Sequence, residues 1–588
     1  MKNRRIQWAI TIFVGIVVII GIIILFLGQF IRPQLQRLPF VSNSTVINVH
    51  ERYRLDPEIP SIVYGNARRP SAQDPFLEDG VIYLPISFFV EEFDRFLFWD
   101  AGSQALIVTT HTDILVFYPD QLRFYVNGAH RQLQHPIRQT DGGVFIPASL
   151  AEALYPVTAS HYDTYNMIVI KRVDAPQTTA YLTRRADIRH SPSRNSPIAT
   201  RAQAGSMVTV FEESENGDFT RILDENGLPG WVATSSLSET ITTVPQEDLD
   251  RPMLLDGFVE NNTLPPSVRR QPVVIAWDFV DCEHGNAALM DVELHESVNV
   301  LSPTWLVIDA EGVTGIPSDY WWDYLSWARG HGVEVWPNVI DSPNSSAFLT
   351  SFESRQDVMT SLLWRIEHFS LNGVNIGFEH VSPERWPYLV QFIRELSVEL
   401  RRMGVTLSIN IPVPCENTDF MRRDLLAQSV DFIVVMAYEE HWPGAPDSGP
   451  VASEPFVRRA IEESLEDIPA GRLILGIPFY NRIWREIVID NTPETRTYRH
   501  HGTAYTREWF EYNGVEWEWL PQYGKYYGQF AALEGDEAVI YKAWLECERS
   551  IGIKLDMYRE FNLAGVAVWN RNFRHNEGLW EVMGEYFR

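Results

Sequence analysis

Four apolar runs in the C-terminal half of the chain carry residues that can do chemistry. NGVNIGFEH reaches Glu379, DFIVVMAYEEH holds Met436, Tyr438 and Glu439, VEVWPNVI holds Trp336 and Asn338, and GVAVWN holds Trp569. Side chains alternate along a strand, so Asn375, Gly377 and Glu379 share one face of their run, and Met436 and Tyr438 share one face of theirs. A carboxylic acid flanked by aromatic rings suits a sugar: the rings stack on it and the acid protonates a bridging oxygen. A lone Glu at a strand end also reads as a salt-bridged rim residue, but the coincident Tyr438 and Trp569 weigh against that. For Trp336, core packing and ligand stacking stand level. His380 and His441 have no third ligand placed beside them, so neither a metal nor a cofactor is expected.

Those runs belong to a larger series. Eight apolar strand candidates cover 273–280, 298–308, 333–340, 373–380, 405–413, 431–441, 473–481 and 565–570, most of them separated by helical patterns such as PYLVQFIRELSVELRRMG. Eight strand–helix units predict an α/β fold, a (β/α)8 TIM barrel over 269–588, whose chemistry sits at the C-terminal ends of its strands. The long interval 482–564 predicts an inserted subdomain beside the site.

Upstream, DGVIYLPIS (79–87) returns as DGGVFIPAS (141–149), and Leu106-Ile107-Val108 returns as Ile168-Val169-Ile170, at one constant offset of 62 residues. Residues 59–175 therefore read as a duplicated α+β domain. Residues 177–238 alternate short β-branched runs with turns and read as a small all-β barrel. Polar, Pro-containing stretches at 32–58 and 239–268 read as linkers.

At the N-terminus, Lys2, Arg4 and Arg5 precede an uncharged run over 6–31. As a helix, that run spans about 39 Å, enough for a hydrocarbon core of about 30 Å. No A-x-A cleavage pattern follows it, so it reads as a transmembrane signal anchor with residues 1–5 cytoplasmic and the remainder extracytoplasmic, the arrangement of a single-pass cell-membrane protein. The formal charge is −28, from 49 Lys+Arg against 77 Asp+Glu. That balance argues against nucleic acid as a partner and suits a neutral glycan. The three cysteines, Cys282, Cys415 and Cys547, form no CxxC pair. A cysteine zinc or iron–sulfur site is thereby excluded, and they read as small buried side chains.

The barrel segment resembles glycoside hydrolase family 18, in particular its bacterial branch acting on spore or cell-wall glycan. The family motif D-G-x-(D/N)-x-D-x-E stands here as Asn372-Gly373-Val374-Asn375-Ile376-Gly377-Phe378-Glu379, and M-x-Y-D as Met436-Ala437-Tyr438-Glu439. NVLSPTW (299–305), GPVAS (449–453), GIPFYNRIW (476–484) and Trp569 also match. Residues 59–175 resemble the copper-amine-oxidase N-terminal-like domain and 177–238 a bacterial SH3-like domain. Despite the first of those names, the histidines there are scattered and form no ligand cluster.

The family resemblance implies substrate-assisted retaining hydrolysis of a polymer containing N-acetylglucosamine, peptidoglycan or chitin-like. The sugar's own 2-acetamido group attacks the anomeric carbon. Glu379 would serve as acid and then base, Tyr438 would bond the acetamido group, and Trp569 would floor the site. Asn375, Met436, Glu439, Trp336 and Asn338 complete the expected substrate-binding set. Two departures stand out: the middle Asp of the motif is Gly377, and the strand-six Asp is Glu439, one methylene longer. Losing a preorganised group of this kind costs about 10²–10³ in rate. Three readings follow: a hydrolase, a catalytically impaired lectin-like glycan binder, and a barrel that is only structural.

Overall fold

The computed structural model describes residues 43–244 and 272–588, apart from 281, 283, 490, 491, 536, 574 and 588. The expected membrane anchor over 6–31 lies outside the described residues. Among the described residues, no helix is long and apolar enough to cross a membrane.

The chain divides into two compact units. The first holds most of the duplicated domain together with the SH3-like segment. In it, strands Val81–Pro85 and Gly143–Pro147 pair antiparallel with Leu84 opposite Ile146. Those two residues are equivalent in the repeat, so the copies meet about a local pseudo-twofold axis. Seven strands between Gln177 and Thr243 form the neighbouring antiparallel sheet.

Both expected linkers are shorter than the sequence suggested. Within 32–58, Val49 and Leu55 are buried with Val63, Met167 and Leu228. Asn43 bonds the 194–195 turn, and Tyr53 donates to the Pro229 carbonyl at 3.0 Å. At the other boundary, Ile241–Thr243 adds a strand to the SH3-like sheet by pairing with Gln177–Thr179. The polar composition of both stretches hid the few apolar residues that fix them.

The second unit is the barrel plus residues 96–118 and 124–131 of the duplicated domain. Its eight parallel strands are β1 (Val273–Asp278), β2 (Val300–Pro303 continued by Leu306–Asp309), β3 (Glu334–Val335 continued by Asn338–Asp341), β4 (Gly373–Gly377), β5 (Thr406–Pro412), β6 (Phe432–Met436), β7 (Leu473–Pro478) and β8 (Gly565–Trp569). β8 pairs with both β7 and β1, which closes the ring. Each strand separates two cores, as the period of two requires. Val274, Ala276, Val374 and Ile376 face the surrounding helices. Val273, Ile275, Trp277, Trp336, Phe432 and Val434 fill the interior.

An antiparallel sheet spanning Leu97–Gln132 packs on the helices Phe352–Phe369 and Trp386–Met403. Arg355, fully buried, pairs with Asp100 at 2.7 Å and with Glu395 at 2.8 Å. Gln391 donates to Thr109 Oγ1 at 2.9 Å, and Arg394 and Arg401 donate to the Thr109 and His111 carbonyls. A barrel cut at 269 would leave this face bare.

The expected insert is a five-stranded antiparallel sheet over Asn481–Leu545 carrying the helix Thr503–Tyr512. Of the cysteines, Cys547 is buried, but Cys282 and Cys415 are exposed, contrary to the expectation for them.

Candidate functional site

Where β1, β3, β4, β6 and β8 end together, they leave a cavity of about 340 Å³. Of the expected residues, Glu379, Tyr438, Trp569, Asn338, Met436 and Glu439 line it. Two expected contacts do not. Trp336 is wholly buried in the barrel interior, stacked on Phe432 with ring centroids 6.1 Å apart, and its Nε1 donates to Glu334. Asn375 is also buried; it accepts from Trp277 Nε1 at 3.0 Å and donates to Ser408 and Asn410. Both face inward as alternation demands, but each lies too deep along its strand to meet a ligand. Trp336 is a core side chain, and Asn375 supports the cavity from below.

Glu379 opens onto the cavity. Its carboxyl makes no hydrogen bond or ion pair among the described residues, while its backbone N–H donates to Asp341 Oδ1 at 2.7 Å. Crowding by the cavity walls is the main influence raising its pKa above the usual glutamate value. The neighbouring charges of Asp341 and Glu439 add to the rise, and His380 opposes it. A carboxyl held protonated at higher pH is what a proton donor needs. Burial, with Glu379 and Glu439 nearby, likewise holds the Tyr438 hydroxyl well above its ordinary pKa, so it stays a hydrogen-bond donor.

The other acids of the cavity are tethered. Asp341 accepts from the backbone N–H of both Glu379 and His380, and pairs with the His380 ring at 3.2 Å. This fixes the turn that presents Glu379. Glu439 accepts two bonds from Arg482 at 2.8 Å and one from the Tyr480 hydroxyl. It holds a left-handed backbone, φ 64°, unfavourable for a residue with a Cβ. Arg482 and Tyr480 hold it there, so Glu439 does not stand in as a free carboxylate for the missing motif Asp. His380 and His441 do not converge: His380 turns to Asp341, and His441 bonds the Pro450 carbonyl at 3.0 Å.

Trp569 meets Trp277 edge-on, centroids 5.7 Å apart, and Phe279 at 6.4 Å. Together the three make an aromatic floor. The sequence reading missed Asp341, Trp277, Phe279 and Tyr480, all of which line the cavity. The signal was present, because Asp341 directly follows the β3 run and Trp277 and Phe279 lie inside or just past β1.

Residues 338–573 match the family described as glycosyl hydrolases family 18. Residues 63–164 match the copper amine oxidase N-terminal domain, and 184–238 the bacterial SH3 domain. A putative sporulation-specific glycosylase of Bacillus subtilis is 24% identical over 256 residues, 43% of this chain and 57% of that protein. A cortical fragment-lytic enzyme of Bacillus anthracis is 25% identical over 263 residues, 42% and 58% respectively. The chain thus spans under two thirds of the length of these relatives. Among solved structures, the C-terminal domain of a putative chitinase from Desulfitobacterium hafniense aligns with TM-score 0.49 and 19% identity, over 54% of this chain and all of that one. The Bacillus cereus spore cortex-lytic enzyme aligns with TM-score 0.48 and 17% identity, over 55% and 76%.

Proposed function

We propose, from the match of residues 338–573 to glycosyl hydrolases family 18, that the chain is a membrane-anchored, extracytoplasmic glycoside hydrolase acting on a polymer that contains N-acetylglucosamine. The observation that carries the reading is Glu379: an acid with a raised pKa, unpaired in an aromatic-floored cavity beside a protonated tyrosine. The mechanism is substrate-assisted. Glu379 gives its proton to the bridging oxygen as the bond from that oxygen to the anomeric carbon breaks. The acetamido carbonyl oxygen forms a new bond to the same carbon from the opposite face. The Glu379 carboxylate then takes a proton from water as the water oxygen bonds to that carbon and the acetamido oxygen–carbon bond breaks, which restores the acetamido group and releases the sugar with retained configuration. Tyr438 donates to the acetamido group and Trp569 supports the distorted ring.

Peptidoglycan is the substrate we favour over chitin. The anchor read at 6–31 would hold the barrel beside the wall, and the relatives are named as a sporulation-specific glycosylase and a cortical fragment-lytic enzyme. The test uses the full chain, because removing residues 97–131 would strip Asp100, one of the two acidic partners of buried Arg355. Release of reducing ends from purified peptidoglycan and from chitin oligomers is measured for wild type and Glu379→Gln. Release by wild type alone supports the proposal. Gly377 favours a second reading, a glycan-binding barrel without turnover; binding by both proteins with release by neither would establish it.

A further inference from the structure

The arginines of the SH3-like segment are gathered on one side of it. Residues 177–238 hold six arginines and no lysine, and Arg184, Arg185, Arg189, Arg194 and Arg201 line a single groove of about 860 Å³. Asp187 and Asp218 are the acids among its described lining residues, so the groove keeps a net of three positive charges on a chain whose formal charge is −28. Strand geometry brings the charges together. Asp187 and Arg189 share a face of the strand Ala186–Arg189, and Arg201 of the strand Ile198–Ala202 is registered opposite Asp187.

The five are not used alike. Arg189 is buried and structural: it donates to the Asn43, Arg194 and Ser196 carbonyls at 2.9, 3.1 and 2.6 Å, and to Asp187 at 2.9 Å. Arg201 shares Asp187 at 3.1 Å. Arg184 donates instead to the hydroxyls of Ser236 and Ser235, at 3.2 and 2.8 Å. Arg184 and Arg185 are exposed, and neither has an acidic partner among the described residues. Guanidinium forks beside serine hydroxyls are a donor set for phosphate oxygens. No exposed large apolar side chain lines the groove, so it suits charged headgroups and not acyl chains.

The groove also lies where the chain enters this domain. Asn43, the first described residue, donates its backbone N–H to the Arg194 carbonyl at 2.8 Å and its side-chain amide to the Asn195 carbonyl at 3.0 Å. Only residues 32–42 stand between Asn43 and the anchor read at 6–31, and they include Arg32 and Arg37 and no acid. That length of chain reaches at most about 40 Å. We propose that the arginine groove docks the SH3-like domain on the phosphate groups of anionic phospholipid, at the membrane face from which the anchor emerges. The inference rests on the anchor reading above. The attraction fades within a Debye length, about 8 Å at physiological salt, so the groove meets the headgroups directly. The chain as a whole is acidic and is repelled by the same surface, so the groove sets which face of the domain turns to the lipid.

The test uses the full chain reconstituted into vesicles of phosphatidylcholine, alone or mixed with phosphatidylglycerol. Ala204→Cys, at an exposed position, carries a donor dye in a Cys282→Ser, Cys415→Ser background, because those two thiols are also exposed. Energy transfer to an acceptor dye on the lipid headgroups reports docking. Transfer should be higher with phosphatidylglycerol, and the difference should vanish near 1 M salt, where the Debye length is about 3 Å. Arg184→Gln with Arg185→Gln should lower the ratio of docked to undocked protein by about 25-fold, about fivefold for each arginine. Arg123→Gln with Arg131→Gln removes the same charge at exposed positions outside the groove and should leave docking as it was. Thermal melting shows that both pairs still fold. Equal transfer in the two lipids, docking retained by the groove variant, or equal loss in the control overturns the inference. So does binding of soluble poly(glycerol phosphate) without approach to phosphatidylglycerol, which would assign the groove to a wall polymer. Release of the chain from phosphatidylcholine vesicles by alkaline carbonate overturns the anchor reading, and this inference with it; retention with equal transfer in both lipids overturns this inference alone.

Discussion

Asp278 ends β1 and Glu379 lies just past β4, at the same end of one barrel, and the two have opposite surroundings. Asp278 is fully buried and takes two bonds from Arg571, at 2.8 and 2.6 Å, and one from the Tyr324 hydroxyl at 2.5 Å. Glu379 faces the cavity with no cation and no donor on its carboxyl among the described residues. Asp341 and Glu439 fall with Asp278: one is held by backbone N–H groups, the other by Arg482 and Tyr480. Of these four acids, three have their hydrogen bonds supplied by the protein. The fourth carries no such partner among the described residues, and that difference, more than residue type or position, singles out the proposed proton donor.

The largest expected effect comes from removing the unpaired acid. Glu379→Gln should cut release by about 10²–10⁴, the usual worth of a positioned acid, with no loss of folding. Thermal melting and release measured on the same preparations check this. A variant that keeps a tenth of wild-type activity would move the proton donor elsewhere. Breaking the paired acid should do the converse. Arg571→Met strands the Asp278 carboxylate in the interior, and such losses destabilise by about 3–5 kcal/mol. Denaturant unfolding should show that drop; unchanged stability would show that the pair is not what holds the β1–β8 closure.

Glu439 tests the intermediate case, a cavity acid that is tethered. Arg482→Met removes both charged bonds from Glu439 and leaves only Tyr480 to hold its left-handed backbone. The cost should be about that of one charged hydrogen bond, roughly tenfold in kcat/KM. If activity instead rises, Glu439 is restrained by Arg482 rather than placed by it.

Much of this was legible in the sequence. The eight strands were readable because each is a short apolar run bounded by polar residues, and the face of β4 was readable from alternation. Depth was not. Trp336 and Asn338 share a face, yet two residues of strand are about 7 Å, enough to put one in the core and the other at the cavity. Asn375 is misplaced for the same reason, two residues below Gly377. Pairing was not legible either, because the partners arrive from far along the chain: Arg571 reaches Asp278 across 293 residues, and Arg482 reaches Glu439 across 43. Nor does the sequence reveal that Asn338 occupies the space over Gly377, since that requires knowing which side chains of β3 and β4 meet.

The smallest effect is the most diagnostic of how Glu379 is tuned. A general acid works protonated, so kcat/KM should fall as pH rises through the raised pKa of Glu379 in the free protein. Burial sets most of that rise, but two neighbours act on it with opposite sign. Asp341 raises it, because a second negative charge disfavours ionisation; His380 lowers it. Asp341→Asn should therefore move the alkaline limb to lower pH, and His380→Gln should move it to higher pH. Profiles of kcat/KM against pH for the three proteins decide the matter, and only the opposed signs support the assignment. Shifts in the same direction would mean that both variants act through the turn at 379–380, which both side chains touch, and that the local field at Glu379 comes from burial alone.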